Sequence, residues 1–140
     1  MLTEIAASPE SARRQKTRRT FLLAFLRLIA VRPIEKITVT DIANEANYGR
    51  WAFYQYYQSK EEVAYAAFVL WMNQLDARVI AAVKDLASPQ REYESWRMLF
   101  HAFDQQRVFF THVNNLTGSA WRGQIKEFLV RQFLQHLHDG

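Results

Sequence analysis

Residues 37–63 read ITVTDIANEANYGRWAFYQYYQSKEEV and open with the start signal of a short helix. Thr38 is followed three residues later by Asp41, as in a capping box, and Thr40 is the alternative N-cap. This helix is only about two turns long. Its predicted buried face consists of Ile42, Ala43 and Ala46.

The second half of the same stretch predicts a tight turn and a third helix. Asn47 falls where the chain must turn, and asparagine tolerates the left-handed backbone conformation that such turns use. We expect a helix from about Gly49 to Tyr57, in which Phe53 and Tyr57 share one face and pack inward. The residues that point away from this face and should be exposed are Arg50, Trp51 and Gln55.

Apolar residues recur at three and four positions along the rest of the chain, which predicts an all-α fold. A first helix begins at Ser8 and Pro9, buries a stripe that includes Phe21 and Phe25, and stops at Arg32-Pro33. Ser59 caps a long fourth helix from Lys60 to about Leu86. Three further helices are expected at about 90–106, 108–116 and 119–138. We expect the chain to divide into a small N-terminal helical domain at 1–59 and a second helical domain at 60–140.

Composition restricts the class of protein. The chain of 140 residues has no cysteine, so disulfides and cysteine-bound zinc are excluded. Its N-terminus, MLTEIAASPESARRQK, does not have the pattern of a signal peptide, and no apolar run reaches the roughly 18 residues of a membrane span. We therefore expect a soluble cytoplasmic protein. Residues 1–60 carry ten Lys or Arg against five Asp or Glu, net +5, whereas residues 61–140 are net −1. This asymmetry favours a polyanionic partner at the N-terminal end.

Two short helices behind a longer one form a helix-turn-helix, whose second short helix enters the major groove of DNA. Arginine and glutamine read base edges, and an exposed aromatic ring can lie against a sugar or a thymine methyl. We expect the basic side chains to neutralise phosphates; they are Arg13, Arg14, Lys16, Arg18, Arg19 and Lys60. The alternative is that every aromatic is a core residue, but this leaves Trp51 and the basic half unexplained.

The stretch at 37–63 resembles the signature of the TetR family of bacterial transcriptional regulators, approximately T-[TV]-x-x-I-A-x-x-A-G-V-S-x-[GA]-T-[FL]-Y-x-[HY]-F-x-[SN]-K-x-x-[LV]. The matching residues are Thr38, Ile42, Ala43, Ala46, Phe53, Tyr54, Tyr56, Ser59, Lys60 and Val63. The resemblance implies phosphate contacts by Thr38, Tyr54, Tyr56 and Lys60. It also implies that four residues lie near the bases: Thr40, Arg50, Trp51 and Gln55. Departures from the pattern occur at Asn47, Gly49, Trp51 and Ala52.

The resemblance also implies that residues 60–140 bind a small-molecule effector and form a homodimer, so that the protein is a ligand-responsive repressor of a double-stranded DNA operator. Family members are usually longer, and this sequence ends at HLHDG, about where their dimer interface begins. We expect a C-terminal region that is short for the family. Aromatic residues at helical spacing are more often core than pocket, so we expect burial of Trp71, Trp96, Phe100, Phe103, Phe109, Phe110, Trp121 and Phe128.

Other functions have little support in the sequence. The four histidines, at 101, 112, 136 and 138, show no metal-ligand spacing, and the phosphate-loop, dinucleotide, zinc-protease and nucleophile-elbow motifs do not occur. We expect no enzymatic activity, no metal and no cofactor other than an unidentified effector. Two alternatives stay open: a helical small-molecule or protein-interaction module that has lost operator binding, and a membrane-surface protein that uses the basic first helix.

Overall fold

The computed structural model describes residues 9–113 and 119–138, and it has the predicted all-α fold, with no strand in those ranges. The helices are α1 Pro9–Ile29, α2 Val39–Glu45, α3 Arg50–Phe53, α4 Lys60–Val83, α5 Gln90–Gln105, α6 Arg107–Val113 and α7 Ser119–His138. A 3₁₀ turn at Ile34–Lys36 joins α1 to α2. Ser8 and Leu116, the predicted ends of α1 and α6, lie outside the described residues.

Helix α1 has a basic first half that is exposed and an apolar second half that is buried. Phe21, Ala24, Phe25 and Ile29 are buried, as predicted from their spacing. After Ile29 the backbone turns through Ala30, Val31 and Arg32 and then reaches Pro33, which cannot continue a helix. The side of α1 that carries the aromatic rings therefore faces the helix-turn-helix.

Helix α2 begins at the predicted capping box. The Thr38 hydroxyl accepts from the Asp41 backbone N–H at 3.0 Å, and the Asp41 carboxylate accepts from the Thr38 N–H at 2.9 Å. Thr38 is therefore the N-cap, and Thr40 lies inside the helix. Ile42, Ala43 and Ala46 are buried as predicted. Asn47 has a φ of 62°, which confirms the left-handed turn residue between α2 and α3.

Helix α3 is shorter than predicted. The regular helix ends at Phe53, and Gln55 and Tyr56 each donate their N–H three residues back, to Ala52 and Phe53. Such bonds tighten the chain into turns, so Gln55 lies on a turn after α3 and not within the helix that was predicted to reach Tyr57. Tyr57 still donates its N–H to the Phe53 carbonyl, which keeps both side chains facing inward. Phe53 and Tyr57 are buried, as expected.

The first core is built around Phe21 and Phe53, whose rings meet edge to face at 5.6 Å. It takes residues from α1, α2, α3 and the first two turns of α4, including Val63 and Ala67. Val113 of α6 also belongs to it, and the neighbouring His112 ring contacts the Ile29 carbonyl at the end of α1. Helix α6 is thus fixed to the N-terminal unit.

The second core begins on the same α4, one residue after the first core ends. Phe68, Met72 and Leu75 pack with Ala102 of α5 and Phe128 of α7. Because α4 contributes to both cores, it joins the two packing units directly. The division at residues 59 and 60 stays a prediction, since α4 belongs to neither unit alone.

The predicted burial of aromatic residues in the C-terminal half is wrong at two positions. Phe128 is buried and Trp71, Phe103, Phe109 and Phe110 are partly buried, but Trp96 and Phe100 are exposed. The buried residue of α5 is Ala102. The side chain of Trp121 lies outside those described. The helix ends also differ slightly, since α4 ends at Val83, α5 at Gln105, and α6 begins at Arg107.

Helix α4 is long and apolar enough to cross a membrane by length and composition alone, with a mean hydropathy of 1.2. Core helices of soluble proteins meet the same criterion, so this is weak support for a membrane span. Among the described residues, no three His, Asp or Glu side chains lie together in a way that could hold a metal ion. The side chains of His136 and His138 are not among those described.

Candidate nucleic-acid interface

The exposed edge of α3 presents one large ring among polar side chains. Trp51 is 76% exposed, although tryptophan is among the largest apolar side chains of the protein. Arg50, Tyr54 and Gln55 are exposed beside it. The structure therefore places the three predicted base-reading residues of this region, Arg50, Trp51 and Gln55, on the solvent side of the helix-turn-helix.

Arg50 and Tyr54 are oriented by each other. The guanidinium donates to the Tyr54 hydroxyl at 3.2 Å, and its carbon lies 5.7 Å from the centre of the Tyr54 ring. Tyr54 in turn meets the buried Phe53 ring edge to face at 5.5 Å. An arginine has five N–H donors in a planar fork, so this contact leaves donors for a base edge or a phosphate.

Two arginines of α1 hold the segment that follows α3. The Arg14 guanidinium lies 4.9 Å from the centre of the Tyr56 ring and donates to the Gln55 carbonyl at 3.4 Å. Arg18 lies 4.7 Å from the centre of the Tyr57 ring. The Tyr57 hydroxyl donates to the Arg18 carbonyl at 3.2 Å, and burial raises the pKa of this hydroxyl. The basic entry of α1 is therefore attached to the segment that follows α3.

The two threonines at the start of α2 differ in position. Both Thr38 and Thr40 are exposed. The Thr38 oxygen accepts from the Asp41 backbone N–H in the capping box, and the hydroxyl also stabilises the Asp41 carboxylate, which lowers the pKa of Asp41. Thr40 lies on the first turn of α2.

Lys60 has a structural contact that the sequence did not predict. Its ammonium donates to the backbone carbonyls of Ile34 and Ile37, at 2.8 and 2.9 Å. These carbonyls belong to the 3₁₀ turn and to the residue just before the α2 cap. An ammonium has three donors, so Lys60 can bond both carbonyls and still present one N–H to a phosphate. The phosphate contact of Lys60 stays a prediction.

The contacts made by Arg14, Arg18 and Lys60 are the functional features that sequence reasoning missed. Each joins residues 23 to 41 positions apart in the chain, so no local spacing rule could have found them. A usable signal was the coincidence of an arginine-rich helix with a run of tyrosines in the same small unit. Cations and aromatic faces attract each other, which favours such pairs in a folded domain.

A cleft lies between α4 and α5. Its volume is about 600 Å³, within the usual range of small-molecule sites. Trp71 supplies an aromatic wall and Arg78 a positive charge. The remaining lining residues are Gln74, Ala77, Ala102, Gln105 and Gln106. The cleft is open to solvent and is the candidate site for an effector.

The capped α2, the left-handed turn at Asn47 and the exposed edge of α3 define a helix-turn-helix DNA-binding domain. Residues 22–67 match the family model of the bacterial regulatory proteins of the tetR family, so this segment is similar to the N-terminal domain of those regulators. Members of the family are regulators that bind DNA operators, generally as dimers. A search of curated proteins gave no match.

Proposed function

We propose that this protein is a sequence-specific transcriptional repressor whose hold on a DNA operator is released by a small-molecule effector. It acts in the cytoplasm as a homodimer, with one helix-turn-helix on each half of a two-fold symmetric site. The proposal assigns base contacts to Arg50, Trp51 and Gln55. It assigns phosphate contacts to Thr38, Tyr54, Tyr56 and Lys60 and to the basic face of α1.

The observation that carries the proposal is the exposure of Trp51 beside Arg50 on the solvent edge of α3. A tryptophan exposed to this extent exposes a large apolar area to water unless a partner covers it. The nearby cations select a polyanionic partner, and a duplex offers phosphates and apolar thymine methyl groups together. The same end of the molecule carries the net positive charge of residues 1–60.

Release by an effector is proposed from the position of α4. This helix lines the cleft with Trp71 and Arg78, and its first turn carries Lys60, which bonds the segment before α2. A ligand that shifts α4 would therefore move the helix-turn-helix, and two such units would lose their spacing on successive major grooves. A guanidinium, an aromatic ring and three carboxamides favour a small aromatic or acidic ligand.

The proposal is tested by selection from a random double-stranded DNA pool at near-physiological salt, with the Arg50→Ala, Trp51→Ala double variant run in parallel. Both side chains are exposed, so the variant should fold as the wild type does, which circular dichroism checks. We expect the wild type to enrich a two-fold symmetric sequence and the double variant to lose that enrichment.

Failure to enrich any sequence above the double variant would contradict operator recognition. Salt-dependent binding without sequence preference would leave only the electrostatic part of the proposal, since phosphate contacts alone give that behaviour. No binding to any duplex would favour the alternative of an interaction module. The exposure of Trp51 would then have to be explained by a partner other than DNA.

A further inference from the structure

Among the tryptophans whose side chains the structure describes, Trp51 is the one without a partner in the fold. Trp71 meets the Phe103 ring edge to face at 4.9 Å, and Trp96 stacks on Phe100 with ring centres 5.9 Å apart. Trp51 is 76% exposed, and it makes neither a ring contact nor a hydrogen bond to the other described residues. Its apolar ring and its indole N–H donor are therefore both available to a partner.

Trp51 is the second residue of α3 and directly follows Arg50. In a helix-turn-helix, the first residues of the second short helix contact base edges in the major groove. The Arg50 guanidinium is oriented by its hydrogen bond to the Tyr54 hydroxyl at 3.2 Å. Neighbouring Cα atoms are about 3.8 Å apart and neighbouring base pairs about 3.4 Å, so Arg50 and Trp51 can contact adjacent base pairs.

The residue before Arg50 leaves the start of α3 open. Gly49 is the N-cap of α3, with φ −76° and ψ 157°, which is a conformation that any residue adopts. A Cβ at this position would meet no atom within 4 Å beyond its chain neighbours. Neither the backbone nor the packing of the fold therefore requires glycine here. The missing side chain does permit a close approach of DNA to the start of α3.

Thymine is the base whose major-groove edge matches an indole best. It carries a C5 methyl group, which an apolar ring can cover, and it presents the O4 acceptor beside that methyl group. The indole N–H is a donor only, so an acceptor at this edge suits it. Cytosine lacks the methyl group and presents an N4 donor, and the purines have no apolar group at this edge. The chemistry of Trp51 therefore favours thymine over the other three bases.

Two other uses of an exposed ring fit the position of Trp51 less well. Apolar side chains that wedge between base pairs enter from the minor groove, whereas the second short helix of a helix-turn-helix lies in the major groove. A ring that lies against a sugar carries no sequence information. It would also leave the indole N–H without a base acceptor in the groove that Arg50 reads.

We propose that Trp51 reads the 5-methyl group of a thymine in the base pair adjacent to a guanine that Arg50 contacts. The TetR pattern has glycine or alanine at the position of Trp51, so the large ring is a feature of this chain that the pattern does not share. The inference rests on the proposed function, because it requires operator binding through α3. It adds the base step that the operator must contain and the chemical group that is read there.

Uracil scanning of the selected operator tests the proposal. Each thymidine is replaced in turn by deoxyuridine, which lacks the 5-methyl group and keeps O4 and the base pairing. Binding is measured by fluorescence anisotropy. We expect the wild type to lose about fourfold in affinity when one particular thymine of a half-site is replaced, which is the effect of one uncovered methyl group. Replacing each guanine by 7-deazaguanine, which lacks the N7 acceptor, locates the Arg50 contact.

Three variants assign the methyl contact to the ring. Trp51→Ala should bind the thymine and uracil operators equally, whereas Trp51→Phe keeps an aromatic ring and should retain most of the wild-type difference. Trp96→Ala removes another exposed tryptophan, on α5, and is the matched control. It should retain the full difference between the two operators.

The outcomes separate this inference from the proposed function. A selection that enriches no sequence would overturn both. A selected operator that the wild type binds equally with thymine and with uracil would overturn this inference alone, as would a Trp51→Ala variant that still distinguishes the two. A uracil-sensitive thymine that is not next to the guanine located by 7-deazaguanine would overturn it as well. The uracil scan uses the unmodified protein, so its result does not depend on the folding of a variant.

Discussion

Among the side chains that the structure describes, large exposed aromatic rings lie on α3 and on α5, and their surroundings differ. Trp51 and Tyr54 lie among cations, with Arg50 bonded to Tyr54 and the basic face of α1 attached to the same unit. Trp96 and Phe100 lie among ion pairs that cancel. The same residue type therefore lies in a cationic environment at α3 and in an electrically balanced one at α5.

The two surfaces also differ in how they are supported. Around α3, polar contacts join residues 23 to 41 positions apart; they connect α1 to the segment after α3 and α4 to the segment before α2. Along α5 and at its junction with α6, the ion pairs join residues within three positions of each other, and the buried residue of α5 is the small Ala102. The α3 surface therefore depends on the whole N-terminal unit, whereas α5 can be changed on its outer face with little effect on folding.

The largest expected effect is on the unfolding free energy. It comes from comparing a phenylalanine-to-alanine substitution below the α3 surface with the same substitution on the α5 surface. Phe53→Ala removes a fully buried ring of the first core and should cost about 3–5 kcal/mol of unfolding free energy. Phe100→Ala removes an exposed ring and should change the stability of the monomer by about 0.5 kcal/mol or less. Urea denaturation at low protein concentration measures both. Equal losses would show that α5 is a core helix after all.

The next effect concerns Lys60, which bonds the turn before α2. Lys60→Ala should lower the unfolding free energy by about 1.5–3 kcal/mol, because it removes hydrogen bonds from a charged donor to two carbonyls. Lys16→Ala, on the exposed basic face of α1, is the control and should cost about 0.5 kcal/mol or less.

DNA binding separates two roles of Lys60. Both lysine substitutions should lower the salt dependence of duplex binding by about one unit of slope if both lysines also contact phosphates. A Lys60→Ala variant that loses stability and keeps the wild-type slope would restrict Lys60 to the structural role. If Lys60→Ala leaves the unfolding free energy unchanged, the two hydrogen bonds from Lys60 to the carbonyls do not stabilise the fold.

Local rules predicted much of the N-terminal unit. The capping box at Thr38, the left-handed Asn47 and the inward Phe53 and Tyr57 all follow from interactions within a few residues, and the structure confirms them. The end of α3 did not follow, because tight bonds from Gln55 and Tyr56 replaced a further helical turn. Periodicity shows which residues share a face but not where a four-residue helix stops.

The C-terminal half was less predictable for a physical reason. The spacing of Trp96, Leu99, Phe100 and Phe103 is that of an apolar stripe, but it does not show which part of a wide stripe meets the core. In the fold, Leu99 and Phe103 pack on α4 while Trp96 and Phe100 face outward. An exposed apolar face has the same spacing of residues as a buried one. The sequence alone therefore predicted burial for both sides of the stripe.

At the proposed reading edge, Arg50 should determine specificity more than affinity. Arg50→Ala should change the preference at one base pair by about 1–3 kcal/mol, because a bidentate contact to a base edge would be lost. Binding is measured on a set of duplexes that differ singly from the selected site. Arg97→Ala, which changes an exposed arginine on α5, is the control and should leave the profile unchanged. A uniform loss over all duplexes would make Arg50 a phosphate contact.

The smallest effect tests whether the cap of α2 contributes to the rigidity of the α3 surface. The Thr38 backbone N–H, and beyond it the Thr38 hydroxyl and Arg32, hold the pKa of the Asp41 carboxyl below its usual range. A lowered pKa in the fold means that this stabilisation is present above the unfolded pKa and is lost as pH falls. Thr38→Ala should therefore cost about 0.5–2 kcal/mol at neutral pH.

The pH series distinguishes a charged cap from a packing effect. The stability difference between the wild type and Asp41→Asn should be largest near neutral pH and should shrink between about pH 5 and pH 3, as the wild-type carboxylate is protonated. Helix α5 supplies the contrast, since no side chain caps it at Pro89. A constant difference across this pH range would mean that the Asp41 charge does not stabilise α2, and the α3 surface would then depend on its aromatic core alone.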